Sequence, residues 1–184
     1  MNWLVKNVGA VTFAALMLCS CDGPETGKAQ PTIAEAGELV APVRTPEAFS
    51  TAVEQAKPGD RIVLANGVWA DFDALFHAEG TSEAPIRLEA ETPGKVILSG
   101  QSSLRLAGQH LLVSGLVFKD GYTPRNEVIS FRKDEDTLAF HSRVTNTVID
   151  GYSNPDRAQR DLWVGMYGQN NVFDHNHLSG KQNA

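Results

Sequence analysis

After Cys21 this chain contains no cysteine. Cys19 and Cys21 both lie at the end of an N-terminal apolar segment, so the remainder has neither a disulfide framework nor a thiolate metal site. A basic surplus is also missing. The net charge is −6 and no basic face is visible, which argues against a nucleic-acid partner held by bulk electrostatics. An acidic partner would need a local group of Arg, Lys or metal. Glutamate is absent after Glu135. Long apolar runs are absent too: the run from Val8 to Leu18 has 11 residues, whereas a bilayer-spanning helix needs about 20. Helical periodicity is confined to one stretch near residue 50, and at 184 residues a single folded domain is expected.

In place of helices the chain shows a recurrence. Val113-Ser114-Gly115-Leu116-Val117-Phe118, Val144-Thr145-Asn146-Thr147-Val148-Ile149 and Phe173-Asp174-His175-Asn176-His177-Leu178 share one pattern, at intervals of 31 and 29 residues. Each opens apolar, passes through small or polar residues and closes apolar. With β-branched residues and no helical period, this is the signature of one coil of a parallel β-solenoid. Short strands are expected at Arg61-Ile62-Val63-Leu64, Pro85 to Ala90, Lys95 to Gly100, Leu104 to Leu106, His110 to Phe118, Val128 to Arg132, Arg143 to Ile149, Leu162 to Tyr167 and Asn171 to Leu178. Gly108 and Gly115 mark bends. Asn170-Asn171 at a turn and Asn146 within a strand are either inter-coil ladder residues or ordinary turn asparagines.

Three segments follow. Residues 1–20 read as an export signal: Lys6 precedes the apolar run, and Leu18-Cys19-Ser20-Cys21 resembles a bacterial lipobox with Cys21 as the acylated residue. That resemblance implies a bacterial envelope lipoprotein, held to a membrane by a multi-chain lipid anchor and facing the periplasm or cell surface. Residues 21–44 are poor in large apolar residues and read as a flexible tether. Residues 45–184 hold the coils. They begin with Thr45-Pro46-Glu47 as a helix start, an apolar stripe of Ala48, Phe49, Ala52, Val53 and Ala56, and a stop at Pro58-Gly59. Such a helix would cover the open end of the first coil.

From Ala56 onward the chain resembles polysaccharide lyase family 6, the alginate lyases and chondroitinase B. The resemblance rests on Ala56-Lys57-Pro58-Gly59-Asp60-Arg61-Ile62-Val63-Leu64-Ala65-Asn66-Gly67-Val68-Trp69, then Ala84-Pro85-Ile86, Pro93-Gly94-Lys95-Val96, Ser114 to Phe118, Ser142 to Asn146, Trp163 to Gly168 and Asp174 to Lys181, in the family's order. It implies an all-β, right-handed single-stranded parallel β-helix with a short N-terminal capping helix. It also implies β-elimination on an acidic, uronate-containing polysaccharide, alginate or a related glycosaminoglycan. A calcium ion would neutralise the uronate carboxylate, a Lys would take the C5 proton and an Arg would assist the leaving oxygen. In the family those residues sit on later coils, with two calcium-binding glutamates in a Glu-x-Glu strand. No Glu-x-Glu occurs beyond Gly151 here. The expectation is therefore an incomplete helix: no catalytic residue and no metal ligand in this chain, the catalytic coils lying beyond Ala184. The rival readings are a carbohydrate-binding or scaffold lipoprotein without chemistry, and another β-helix enzyme acting on pectin.

Arg132, Arg143 and Lys181 are candidate substrate contacts. The two arginines would face a uronate carboxylate or else pair with Asp134, Asp136 or Asp150; Lys181 would touch an acidic sugar or lie on a solvated loop. Asp174, His175 and His177 form either a metal group, with 175 and 177 on one strand face, or a turn. Trp163 and Tyr167, taken as one strand, share a face as packing residues or as a sugar platform.

Overall fold

A computed structural model describes residues 40–182. The expected lipidation residue Cys21, the signal segment and most of the tether lie outside the described residues.

The chain opens with helix α1 (Pro46–Gln55), capped by the Thr45 hydroxyl, which accepts from the Ala48 amide at 3.2 Å. Of the expected stripe, Phe49 and Val53 are buried, Ala52 and Ala56 are partly buried, and Ala48 faces solvent. Phe49 meets Phe72 edge-on at 5.2 Å, and Phe72 packs on Trp69 at 4.9 Å. The helix thus closes one end of the coil stack. Val43 lies two residues before the predicted start of the coils, yet it already pairs with Leu64 and donates to the Val63 carbonyl at 2.8 Å.

Among the described residues fifteen strands follow, and every pairing between them is parallel. The first sheet stacks β1 (Arg61–Leu64), β4 (Ile86–Ala90), β7 (Leu111–Ser114), β11 (Arg143–Thr145) and β14 (Val172–Asp174). The second stacks β2 (Gly67–Ala70), β5 (Val96–Gly100), β8 (Leu116–Gly121), β12 (Val148–Asp150) and β15 (His177–Ser179). The third holds β3 (Asp73–Glu79), β6 (Ser103–Gln109), β9 (Glu127–Ser130) and β13 (Leu162–Gly165), with the two-residue β10 (Ala139–Phe140) also lying on β6. This is a β-solenoid of about four turns. The capping helix and parallel coils agree with the reading from sequence.

The recurrence predicts the register. Val113, Val144 and Phe173 are direct partners in the first sheet, and Phe118, Ile149 and Leu178 in the second. Each six-residue unit is two strands rather than one, split by a corner whose third residue has positive φ: Gly115 (82°), Asn146 (51°) and His175 (55°). A left-handed backbone is most accessible to Gly and Asn, so these residues recur where the chain must bend. Asn146 is therefore a corner residue, not a strand residue. The inter-coil ladder is made by Asn171, one of the expected pair, and by Asn176. Asn171 accepts from the Ser142 amide at 2.9 Å, and Asn176 accepts from the Thr147 amide at 2.8 Å, each reaching the preceding coil.

Three strands escaped the sequence reading, among them the two-residue β10. In β2, Trp69 fills the core although the strand begins at Gly67, the last residue of what reads as the turn Ala65-Asn66-Gly67. In β3, Ala74, Phe76 and Ala78 alternate inward, but two of the three are alanines and give little apolar contrast. The third sheet also breaks unexpectedly. Val128 to Arg132 is not one strand: β9 stops at Ser130, and residues 131–138 leave the sheet before β10 rejoins β6. Within this excursion Arg132 pairs antiparallel with Leu138, and the Asp134 carboxylate accepts from the amides of Asp136 and Thr137 to close the turn.

Candidate functional site

The excursion stands over the outer face of the third sheet and makes one wall of a cleft of ≈ 430 Å³. Its lining includes Arg105 from β6, Arg125 from the 122–126 loop, Glu127 and Ser130 from β9, and Arg132 and Lys133 from the excursion. Three elements thus bring four cations together that are scattered over nearly 30 residues of sequence. A larger hollow, ≈ 790 Å³, lies between α1 and β1 beside Val40, where the described residues begin. It holds no comparable group of charges.

Asp73 organises one side of the cleft. Its carboxylate accepts from Ser103 Oγ at 2.7 Å, from Arg105 Nη2 at 3.1 Å and from Arg125 Nη2 at 2.5 Å. Burial alone would push its carboxyl up. The hydrogen bonds from Arg125 and Ser103, with the charges of Arg105 and Arg125, outweigh burial and hold it below the usual range. Arg105 also donates to the Lys133 carbonyl at 3.2 Å, tying the excursion to the sheet.

Glu127 organises the other side. Its carboxylate is nearly buried and accepts from the Tyr167 hydroxyl at 2.8 Å. That hydrogen bond, then burial and the Glu127 charge, push the Tyr167 phenol up. The Arg132 guanidinium lies 3.8 Å from the Tyr167 ring centre, a cation–π contact. Its closest approach to Glu127 is also 3.8 Å, too long for a hydrogen bond. Gly165 makes this arrangement possible. A Cβ there would stand 2.7 Å from the Tyr167 ring and 2.8 Å from Glu127 Cγ.

The three predicted contact residues are in different situations. Arg132 lines the cleft, and its ionic neighbour is Glu127 rather than Asp134, Asp136 or Asp150. Arg143 lies on the first sheet in a two-pronged pair with Asp174 of the next coil, at 2.9 and 2.6 Å. That pair holds the Asp174 carboxyl down at about 2. Lys181 donates to the Asp161 carboxylate at 2.7 Å and to the Asp161 carbonyl, 5.3 Å from the Trp163 ring. The other Asp161 carboxylate oxygen is buried without a partner. Cleft residues Asp73, Arg105, Arg125 and Glu127 escaped the sequence reading. Their contacts cross between coils, and only the turn residues Thr123-Pro124 hinted at the loop that carries Arg125.

His175 sits at a left-handed corner, so strand alternation does not place it beside His177; it contacts Asp174 at 3.1 Å. Tyr167 lies beyond the end of β13, so it does not share a strand face with Trp163, whose indole donates to the Tyr152 carbonyl at 2.6 Å. Calcium takes six to eight oxygen ligands, usually several carboxylates. Among the described residues no group of three or more His, Cys, Asp or Glu side chains converges to hold an ion. Among the described residues, too, no helix is long and apolar enough to cross a membrane.

Comparison with known proteins gives concordant findings. The profile of the chondroitinase B family matches residues 43–184. The solved structure of the polysaccharide lyase family 6 alginate lyase AlyGC is 62% identical over 77% of this chain, with a TM-score of 0.75. A polysaccharide lyase of that family from Pseudopedobacter saltans is 33% identical over 77% of this chain, with a TM-score of 0.69. A mannuronic acid-specific lyase of the family from human gut microbiota is 28% identical over the same share, with a TM-score of 0.68. This chain spans 19% of AlyGC and 32% and 34% of the other two. No curated protein matches.

Proposed function

This chain belongs to the chondroitinase B family of polysaccharide lyases, polysaccharide lyase family 6, and we propose from that premise that it serves β-elimination of a uronate-containing polysaccharide, alginate above others. The observation that carries the proposal is the 62% identity to an alginate lyase across 77% of the chain. Agreement at that level over whole coils includes outward residues, which core packing alone does not dictate.

The chemistry of the substrate fits the third-sheet cleft. A polyuronate carries one carboxylate per sugar. The cleft offers four cations among three lining acids, Glu127, Asp134 and Glu135. The role we assign to the described residues is to bind and align the chain. None is given a proton-transfer role, and no step is routed through calcium, which the complete reaction would use to neutralise the uronate carboxylate. We propose further that the protein is exported, with Cys21 as the lipidated residue that anchors it to a membrane of the bacterial envelope. Mass spectrometry of the envelope fraction tests this, since acylation at Cys21 shifts the mass of the N-terminal peptide and Cys21→Ser abolishes the shift.

The activity test is direct. Incubating the full-length gene product with alginate and calcium should release unsaturated products whose new C4–C5 double bond absorbs in the ultraviolet. Absorbance on alginate supports the proposal. Activity on pectin alone turns it toward another β-helix enzyme. Polysaccharide binding without absorbance turns it toward a binding or scaffold role; the charge-lined cleft in a set of residues without a converging metal site is the observation that favours this second reading.

A further inference from the structure

We propose that Arg132, assisted by Lys133, forms a subsite for the carboxylate of a single uronate residue, with the Tyr167 ring beneath the guanidinium fixing its direction. The proposal rests on the polyuronate reading above and gives it a place on the molecule.

Arg132 differs from every other arginine of the cleft in what its donors do. Arg105 and Arg125 direct theirs into Asp73. Among the described residues the Arg132 guanidinium makes no hydrogen bond; it is held by the ring at 3.8 Å and attracted by Glu127 at the same distance. Stacking leaves the in-plane N–H groups free, and a guanidinium fork is matched to a carboxylate. Lys133 is the next residue and lines the same cleft.

The support around Arg132 is rigid. Phe131 is fully buried, and its amide donates to the Gly165 carbonyl at 2.9 Å while its carbonyl accepts from Ala139 at 2.8 Å. The Lys133 amide donates to the Thr137 carbonyl at 2.8 Å, and Arg105 holds the Lys133 carbonyl. The Tyr167 ring is itself held by Glu127 above Gly165, where any side chain would collide. A preorganised donor loses little freedom on binding, so its hydrogen bonds appear as affinity.

The charges nearby select the ligand class. Glu127, Asp134 and Glu135 line the cleft with the four cations, and Asp73 already engages two of those. A doubly charged phosphate, or a densely sulfated sugar, would meet three acids in exchange for two available cations. A carboxylate of one charge on a neutral ring meets the smallest repulsion.

The test titrates the full 184-residue chain with an alginate-type oligouronate, with the same oligosaccharide after carboxyl reduction, and with a sulfated oligosaccharide, by calorimetry at low salt. For Arg132→Ala the affinity for the oligouronate falls by about 10- to 100-fold, the size of one or two charge-assisted hydrogen bonds. Arg132→Lys recovers part of the loss, since it keeps the charge and loses the fork. Lys119→Ala, on the second sheet, leaves binding unchanged. The reduced oligosaccharide binds weakly to all forms and does not distinguish them. Should the parent bind oligouronate and Arg132→Ala bind it equally well, the subsite is overturned while the polyuronate reading stands. If the parent does not discriminate oligouronate from its reduced form, the polyuronate reading is overturned and the subsite with it. Tighter binding of the sulfated sugar overturns the carboxylate assignment. Thermal melts accompany each variant; if Arg132→Ala loses cooperative melting, Arg132→Lys against the charged and reduced ligands decides the matter.

Discussion

One interior column of the second sheet runs Trp69, Leu98, Phe118, Ile149, Leu178, and its two ends differ sharply. Trp69 is 7% exposed and Leu178 is 42% exposed, although each lies on the outermost described strand of its sheet. The difference is α1. Its Phe49 reaches Phe72, which packs on Trp69, so the first coil has apolar neighbours on both sides. Leu178 pairs with Ile149 on one side, and no described strand pairs with β15 on the other. In a stacked structure a residue's burial is thus a property of its neighbours more than of its own coil. Covering an end requires only two well-placed apolar residues on one short helix.

Truncations along this column should grade with coverage. Phe118→Ala, in the middle, should cost about 3–5 kcal/mol, since a fully buried ring is removed between fixed neighbours; urea melts measure it. A loss as small as that at the exposed end would break the comparison.

Tyr152→Phe should cost about 1–3 kcal/mol. The Tyr152 hydroxyl accepts from the Ser102 amide at 2.7 Å and stands 2.8 Å from the Gly100 carbonyl, bracing coils 50 residues apart. Burial, outweighing the Ser102 hydrogen bonds, pushes this phenol up to about 12. Its contribution is therefore complete below pH ~10, where an unfolded tyrosine ionises, and is lost as pH rises through about 12. Parent and Tyr152→Phe melting temperatures should converge over that window.

At the covered end, Thr45→Ala should cost about 0.5–2 kcal/mol through loss of the helix cap. Hydrogen exchange should show faster opening of α1 and β1 than of β7. At the other end, Leu178→Ala should cost less than about 1 kcal/mol in the same urea melts, as for other exposed positions.

The smallest effect concerns the Arg143–Asp174 pair, which ties the last two strands of the first sheet. The pair holds the folded carboxyl at about 2, below the unfolded value near ~3.9, so its stabilisation is present above pH ~4 and fades as pH falls through about 2. The melting difference between parent and Asp174→Asn should be visible at pH 6 and much reduced at pH 2. A difference that persists there undiminished would mean that Asp174 contributes through packing and not through its charge.

Much of the fold was legible because a solenoid writes its register into the sequence. Val113, Val144 and Phe173 must occupy equivalent positions if their coils stack, and Gly115, Asn146 and His175 share a corner that only a few residue types tolerate well. The third sheet was less legible. Alanine gives β3 a weak pattern, and the Asp134 turn interrupts what reads as a continuous strand. The cleft was the least legible part. Arg132 was picked out as an outward arginine, but its platform Tyr167 and neighbour Glu127 lie 35 and 5 residues away on other elements, and Asp73 meets Arg125 across 52 residues. No local pattern encodes such meetings.

The sequence by itself determined the parallel coil, its corners and its capping helix, because hydrophobic spacing and left-handed backbone demands are local and repeat at each turn. Only the tertiary structure decided which charges meet. Stacking brings side chains from different coils within a few ångströms, and at that range it is distance and burial, not order along the chain, that leave Arg143 and Lys181 paired and the donors of Arg132 free.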